Sequence, residues 1–428
     1  MKNYFKDQLA KIFIRQAKKI IKKHNPLIVV VVGSVGKTST KFAIEKVLSQ
    51  KYRVQFQSGN YNVPLSLDFV VTGQTLPNLY NPFAWLKAWL NGQKYIYKNY
   101  PYDVLLLELG TDKPGDIIEF KKILTADVAV VSAVSEEHME NFDSLEKVAE
   151  EELSVAQFSK EIVINADDTK KDFINLFVPE DVSTLSFGYT GRVDYKLHSK
   201  RTSHQSFNMI VNTPSQKNIT TTVEVAAKHG LKPVAAAIAV ADILGLSNKQ
   251  IIKGINNISP APGRMSVYEG INNTIIIDDT YNSSPLATEA ALNAIYEMKA
   301  PQRIVILGSM NELGAVSKVA HQNIGKLCKP EKLDLVITLG EEANNFIATE
   351  AESMGCKVIR TADPVKAGKV AEQNLVEGAI ILAKGSQNGV FAEEAVKQLL
   401  ANPKDLENLV RQNDFWMNIK AEQFNYGN

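Results

Sequence analysis

The sequence predicts an α/β protein of two domains, each on a mainly parallel sheet, and three observations carry that prediction. Apolar, β-branched runs alternate with helical stretches along most of the 428 residues, the pattern of strands buried on both faces and joined by helices. One such run opens into a glycine-rich turn and a helix start, V-V-V-G-S-V-G-K-T-S-T over Val30–Thr40. The alternation is broken once, at Ser259-Pro-Ala-Pro-Gly263, where two prolines and a glycine exclude a regular element. The expected partition is a basic amphipathic helix over 1–26, a phosphate-loop domain over 27–258 and a Rossmann-like, doubly wound domain over 259–428.

Composition narrows the class. Hydrophobic residues make up 45% and charged residues 22%, ordinary for a globular chain. A net charge of +1 gives no global field for nucleic acid. Cys328 and Cys356 form neither a metal-ligand spacing nor a disulfide framework, which points to a reducing cytoplasm. No apolar run reaches membrane-spanning length, and the N-terminus lacks a signal peptide's apolar core and cleavage site. Oligomeric state leaves no signal.

Taken in order, residues 1–23 hold Lys2, Lys6, Lys11, Arg15, Lys18, Lys19, Lys22 and Lys23 against Asp7 alone, with Phe5, Leu9, Ile12, Phe13, Ile20 and Ile21 near helical spacing. Such a helix over 1–24 either lies on the anionic inner face of a membrane or packs its apolar stripe on the neighbouring domain. A second aromatic and basic stretch, Tyr80–Tyr102, either joins that surface or forms a packed helix and loop. Strands are expected at Leu27–Val32, Asp103–Glu108, Asp127–Ser132 and Glu161–Asn165, with a helix from Ser39 to about Gln50. Polar, β-rich pieces from about Thr184 to Thr222 read as a small antiparallel excursion, and Pro233–Leu246 as an Ala-rich helix. Strands at Thr274–Asp278, Arg303–Leu307, Asp334–Leu339, Lys357–Ile359 and Ala379–Ala383 follow the break, and the polar residues after about Phe415 read as a fraying tail.

The chemistry starts at the glycine-rich turn. Gly33 and Gly36 let the backbone bend so that N–H groups around Ser34, Val35 and Ser39 converge on an anion. Lys37 adds a positive charge, the Thr38 hydroxyl is suited to a phosphate-bound Mg²⁺, and the following helix directs its positive end at the same point. Val31 stands where the general phosphate-loop pattern has a glycine, so the match is to the shorter G-x-x-G-K-T; a plain strand–turn–helix connection is the competing reading. Glu108 ends a strand, where a carboxylate either holds Mg²⁺ or is a surface residue. His138, after the next strand, is either structural or catalytic. Arg264 follows the break directly and is placed to reach across to a phosphate. Asp278-Asp279-Thr280-Tyr281-Asn282 ends a strand and leads into Ser283-Ser284-Pro285, a nucleotide contact, a helix cap, or both.

Together, G-S-V-G-K-T (33–38), E-L-G (108–110), His138, G-R (263–264), D-D-T-Y-N (278–282), G-S-M-N-E-L-G (308–314) with His321, and K-G-S (384–386) resemble the Mur ligase family, in order and over roughly residues 27–415. The Y-N, M-x-E-L-G and K-G-S pieces, with Ser58-Gly-Asn-Tyr-Asn62 before Pro64-Leu65, are most similar to the branch that adds D-alanyl-D-alanine to a muramoyl-tripeptide precursor of peptidoglycan; the D-N-P-R motif of the diaminopimelate- or lysine-adding branch is absent. The resemblance implies ATP and Mg²⁺ as cofactors and amide ligation through an acyl phosphate, joining a muramoyl-peptide-like acid to an amino acid or dipeptide amine. It implies that Lys37 cradles phosphates, that Thr38 and Glu108 hold one Mg²⁺ and His138 serves a second, and that Arg264 contacts the γ-phosphate. Asp279 would meet the ribose and Asn282 the nucleotide, with Asn60, Asn62, Asn311, Glu312, Lys384 and Ser386 at the substrate.

Three positions depart from that family. Only about thirty residues precede the phosphate loop, where relatives of this branch carry a UDP-gripping domain. Glu152 stands where the family places a carbamoylated lysine, and is either a ligand of the second metal or a solvated helix residue. His229-Gly230-Leu231-Lys232-Pro233 replaces a motif whose asparagine contacts the base. Two alternatives follow: a Mur-type ligase with another acid and amine, or a degenerate scaffold at the membrane that binds nucleotide without ligation. A kinase or GTPase is disfavoured, since neither an N-K-x-D motif nor a kinase catalytic loop is present.

Overall fold

The computed structural model describes residues 2–56, 66–78, 81–215 and 218–424, with side chains from residue 8 onward. Its first sheet contains β1 (Leu27–Val32), β2 (Val54–Phe56), β3 (Val104–Glu108), β4 (Ala126–Val131), β5 (Ser159–Asn165), β6 (Ser183–Gly188), β7 (Tyr195–Ser203), β8 (Ser206–Asn212) and β9 (Asn218–Glu224), in the order β2-β3-β1-β4-β5-β6-β7-β8-β9. Pairing is parallel from β2 through β7 and antiparallel from β7 to β9. The antiparallel excursion therefore begins one strand later than expected. β6 extends the parallel stack instead, and its Phe187 is buried in the core that also holds Val163 of β5.

Alternation along β1 assigns each residue to a layer. Val29 and Val31 face α2 (Lys37–Leu48), while Ile28, Val30 and Val32 face the opposite layer. The other helices described in this part are α1 (Lys2–His24), α3 (Leu67–Thr72), α4 (Pro82–Tyr97), α5 (Leu145–Leu153), α6 (Lys171–Phe177), α7 (Leu231–Ile243) and α8 (Asn248–Ile255), with 3₁₀ turns at Ile118–Lys122 and Ser154–Phe158. α7 packs on α2 through an alanine-rich face buried from Val234 to Ala241. α1 covers the other layer: Ala17 and Ile20 join the core, and the Phe13 ring lies 5.0 Å from Phe69 of α3 and 5.5 Å from Trp85 of α4. Of the two readings of α1, packing on the neighbouring domain accounts for its apolar stripe.

The second sheet holds β10 (Ser266–Gly270), β11 (Thr274–Asp279), β12 (Arg303–Gly308), β13 (Leu335–Leu339), β14 (Val358–Thr361) and β15 (Ile380–Lys384), in the order β10-β11-β15-β12-β13-β14. Five strands are parallel, as expected, but β10 adds an unexpected antiparallel edge, turned back onto β11 through Asn272 and Asn273 in the left-handed region. The helices are α9 (Pro285–Glu297), α10 (Ser317–Leu327), α11 (Ala348–Ser353), α12 (Pro364–Gln373), α13 (Glu393–Lys397) and α14 (Asp414–Phe424). α14 corrects the expected fraying tail: its buried Lys420 meets Glu393 at 2.8 Å and Glu394 at 2.5 Å, and Trp416 and Phe424 each pack 6.1 Å from the Phe391 ring.

Candidate active site

Both sheets direct strand ends at one cavity of about 640 Å³. The register sets its floor. Val31 of β1 lies beside Glu108, the last residue of β3, and Val32 beside Val131 of β4, so the loop after β1 emerges between two neighbouring strand ends. In that loop Gly33 (φ 125°) and Gly36 (φ 88°) adopt backbone open mainly to glycine. A Cβ on Gly33 would sit 2.4 Å from Ser132 Oγ, so the loop is pressed against β4's exit. Ser132 Oγ donates toward Val35 O (2.7 Å), and Ser34 Oγ accepts from Ser135 N (3.0 Å).

Lys37 folds back over its own loop, donating to Gly33 O at 2.5 Å and lying 3.3 Å from Glu137. Burial opposes its charge, but Glu137, Glu152 and Glu108 outweigh that and raise its pKa. The Thr38 hydroxyl donates to Glu108 Oε1 (2.9 Å) and accepts from Arg264 Nη2 (3.2 Å). The other Glu108 oxygen lies 2.8 Å from Lys41, which is buried. Burial would raise the Glu108 pKa, yet Lys41, Lys37 and Thr38 bring it below the usual carboxylate value, keeping the group ionised.

The second sheet supplies the facing wall. Gly263, in the left-handed region, packs 2.9 Å from Tyr281 N at its Cβ position, and the Arg264 guanidinium stacks 4.1 Å from the Tyr281 ring centroid. Asp279 and Lys384 are register partners on β11 and β15 and pair at 2.6 Å; Lys384 also donates to Asn282 O (3.1 Å). His138 reaches Glu312 of the second domain at 3.0 Å, and both residues have positive φ, 51° and 65°. The hydrogen bond to Glu312 raises the His138 pKa against burial, and the same bond lowers that of Glu312.

Not every expected residue joins the cavity wall. Asn60 and Asn62 lie outside the described residues. Ser386 is fully buried, where it accepts from Asn311 N (3.0 Å) and donates to Ser283 O (3.2 Å); it ties loops together behind the surface. The Asn311 side chain donates to Gln387 O (2.7 Å) and Asn388 O (2.8 Å). Glu152 is 1% exposed, so it is not a solvated helix residue. It accepts from Gly33 N at 2.6 Å, behind the loop and off the cavity wall. Glu152 consequently does not join Thr38, Glu108 and His138 on the wall, and among the described residues no group of three or more His, Cys, Asp or Glu is set to hold a metal. His321 is structural: its Nδ1–H faces Ser317 O (2.8 Å) and its Nε2 accepts from Met310 N (2.9 Å). Lys41, Ser132, Asn165 and Asp168 escaped the sequence reading. Asn165 donates to Ser132 O (2.7 Å) and to Asp168, and Lys232 meets Asp168 at 2.7 Å, filling the wall beside His229.

This arrangement has known counterparts. The family model of the Mur ligase middle domain matches residues 31–241, and that of the Mur ligase, glutamate ligase domain matches 263–387. The chain belongs to the Mur ligase family. Among curated Mur ligases, it is 26% identical to the UDP-N-acetylmuramoyl-tripeptide–D-alanyl-D-alanine ligase of Bacillus subtilis (strain 168), over 90% of this chain and 79% of that one. The Escherichia coli (strain K12) enzyme of the same name is 24% identical, over 88% and 77%. The MurF ligase from Thermotoga maritima in complex with ADP superposes with a TM-score of 0.72 and 26% identity, covering 92% of this chain and 82% of that one.

Proposed function

We propose that this Mur ligase is an ATP-dependent, ADP-forming amide ligase of the MurF type, adding D-alanyl-D-alanine to a muramoyl-tripeptide acid in the cytoplasm. One observation carries the reading: the Thr38 hydroxyl, 2.9 Å from Glu108 and 3.2 Å from Arg264, links the phosphate loop, the first sheet and the second domain at a single oxygen. In the proposed reaction the substrate carboxylate takes the γ-phosphoryl of ATP, and the incoming amine displaces phosphate from the acyl phosphate.

The residues fit their assigned tasks. The loop from Val35 to Ser39 presents N–H groups at a helix start, and Lys37 needs only to swing from Gly33 O to reach a phosphate. Thr38 and ionised Glu108 are hard oxygen donors side by side, suited to one Mg²⁺, with His138 as the candidate donor for a second. Bound Mg²⁺ would neutralise charge on the transferring phosphate. Arg264 faces the same point with a planar fork already oriented by Tyr281, so domain closure positions charge at the reacting group. Asp279, Asn282, Asn311, Glu312 and Lys384 line the same cavity, the first two assigned to the nucleoside and the other three to the acid and amine. Glu152 fixes the Gly33 N–H and shapes the loop from behind.

ADP release is the test, with Mg-ATP and a matrix of acids and amines that includes UDP-MurNAc-tripeptide and D-Ala-D-Ala, beside a Lys37→Ala control. Turnover that needs both substrates and vanishes in the control supports the reading. ATP binding without turnover on that pair moves the assignment to another acid and amine or to a non-catalytic scaffold.

A further inference from the structure

We infer that the outer faces of α1 and α4 together form a docking surface for an anionic lipid bilayer. The inference stands independently of the ligase reading. The two helices lie side by side and run in the same direction: Gln16 Nε2 donates to Trp89 O (2.9 Å) and Lys23 Nζ to Ile96 O (2.7 Å), each pair 73 residues apart in sequence. Gly92 permits this approach, since a Cβ there would lie 2.5 Å from Gln16 Oε1. Trp85, Ala88 and Gly92 mark the inward face of α4.

The outward face of α4 is apolar. Phe83 is 82% exposed, Leu86 54%, Leu90 51% and Tyr97 79%. At 3.6 residues per turn these four fall within an arc of about 60°. Lys87 and Lys94 border that arc on the side away from α1. On the near side stand exposed Ile12 and the exposed cations Lys11, Arg15, Lys19 and Lys22 of α1. Neither residues 8–24 nor residues 82–98 contain an Asp or Glu. The chain as a whole carries a net charge of only +1, so positive charge is concentrated on this face and the remainder is net negative.

Scattered exposed leucines are ordinary, but an apolar row rimmed on both sides by cations marks an interaction surface. Its chemistry selects the partner. Nucleic acid would use the lysines and leave Phe83, Leu86 and Leu90 in water. A bilayer uses both: the apolar row enters the headgroup boundary, Tyr97 sits at headgroup depth, and the cations meet lipid phosphates. No helix among the described residues is long and apolar enough to cross, so the chain would lie on the membrane.

Co-sedimentation of the full chain with vesicles of phosphatidylglycerol and of phosphatidylcholine tests this. Binding should be at least about tenfold stronger to phosphatidylglycerol and should weaken as salt is raised. The variant Phe83→Ser/Leu86→Ser/Leu90→Ser should lose about tenfold or more of that binding while its ADP-forming turnover and melting temperature stay unchanged. Should that variant fold poorly, Arg15→Glu/Lys19→Glu/Lys22→Glu, confined to solvated positions, should abolish the lipid preference. Equal binding to both vesicle types, or variants that bind like the parent chain, would overturn the inference. So would a dimer in analytical ultracentrifugation that the serine variant converts to monomer, since the face would then join two copies.

Discussion

Two regions of the molecule treat charge in opposite ways. At the cavity, buried cations sit on anions: Lys41 on Glu108 at 2.8 Å and Lys384 on Asp279 at 2.6 Å, with Arg264 poised over Thr38. In the layer of α1, α3 and α4 the cations face outward, and the one buried carboxylate noted there, Asp68, has neither oxygen hydrogen-bonded. Neighbours keep Glu108 ionised, whereas burial pushes Asp68 up to about 8 and leaves it protonated at neutral pH. Ionised groups are maintained where a polyanionic ligand is expected, and a carboxyl serving only as packing is neutralised.

The largest test of this contrast is Arg264→Ala. Removing a positive fork from the reacting phosphate should lower kcat/KM for ADP formation by about 10³-fold, with little change in melting temperature. Arg264→Lys should recover little, because an ammonium neither forks nor stacks on Tyr281 in the same way. A drop of less than about tenfold would remove Arg264 from the phosphate site. Next in size is Lys41→Met, which strands the Glu108 carboxylate and should cost about 3–5 kcal/mol in urea unfolding. Adding Glu108→Leu should restore much of that stability without restoring turnover. If Lys41→Met alone costs under about 1 kcal/mol, the pair is not holding a buried charge.

These two residues also show what the sequence discloses. Arg264 was legible because a glycine and two prolines mark the junction it follows, and Glu108 because it closes an apolar strand beside the strand that feeds the loop. Lys41 was not, since a lysine one turn into a helix reads as solvated, and its burial arises only in the tertiary fold, where α7 and α8 pack on α2 and Lys41 meets Glu108 of β3. The run Glu150-Glu151-Glu152 poses the same problem. Glu150 is exposed, while Glu151 accepts from Gly115 N (2.6 Å) and Ile117 N (2.7 Å), and Glu152 from Gly33 N. Which face of α5 turns inward depends on loops distant in sequence, so the pattern alone could not separate a metal donor from a loop anchor. The antiparallel β10 was missed for a related reason: its buried and exposed residues are set by pairing with β11.

Glu152 sharpens the comparison, because it lies behind the phosphate loop within the field of Lys37, yet burial shifts its pKa upward as it does that of Asp68. Burial raises its pKa to about 7, against the opposing pull of Lys37 and the Gly33 N–H. A carboxyl whose folded pKa lies above its unfolded value contributes stability fully below about pH 4.5, and loses it as the pH rises through about 7. Glu152→Gln keeps an acceptor for Gly33 and cannot ionise. It should match the parent chain near pH 4.5 and exceed it by about 2 kcal/mol at pH 8, read by denaturant midpoints. A difference independent of pH would show that Glu152 stays charged in the fold and belongs with Glu108.

The smallest expected effect is at Asp68, where the same sign applies with no functional neighbour to complicate it. Its ordinary value is 3.8 and its folded value about 8, so the stability it contributes is complete below pH 3.8 and is lost as the pH climbs toward 8. Asp68→Asn should therefore be more stable than the parent chain at pH 7.5 and less stable toward pH 4, where the parent carboxyl is protonated and only the cost of the amide's unpartnered donors remains. The amide brings two donors into the same unpartnered site, which offsets most of the gain and leaves about 1 kcal/mol. Turnover should not change, because α3 packs on α1 and α4 and not on the cavity. A variant that is less stable at every pH would mean that the carboxylate is ionised and paired after all. The charge contrast between the two regions would then disappear, since both would hold their buried anions by partners.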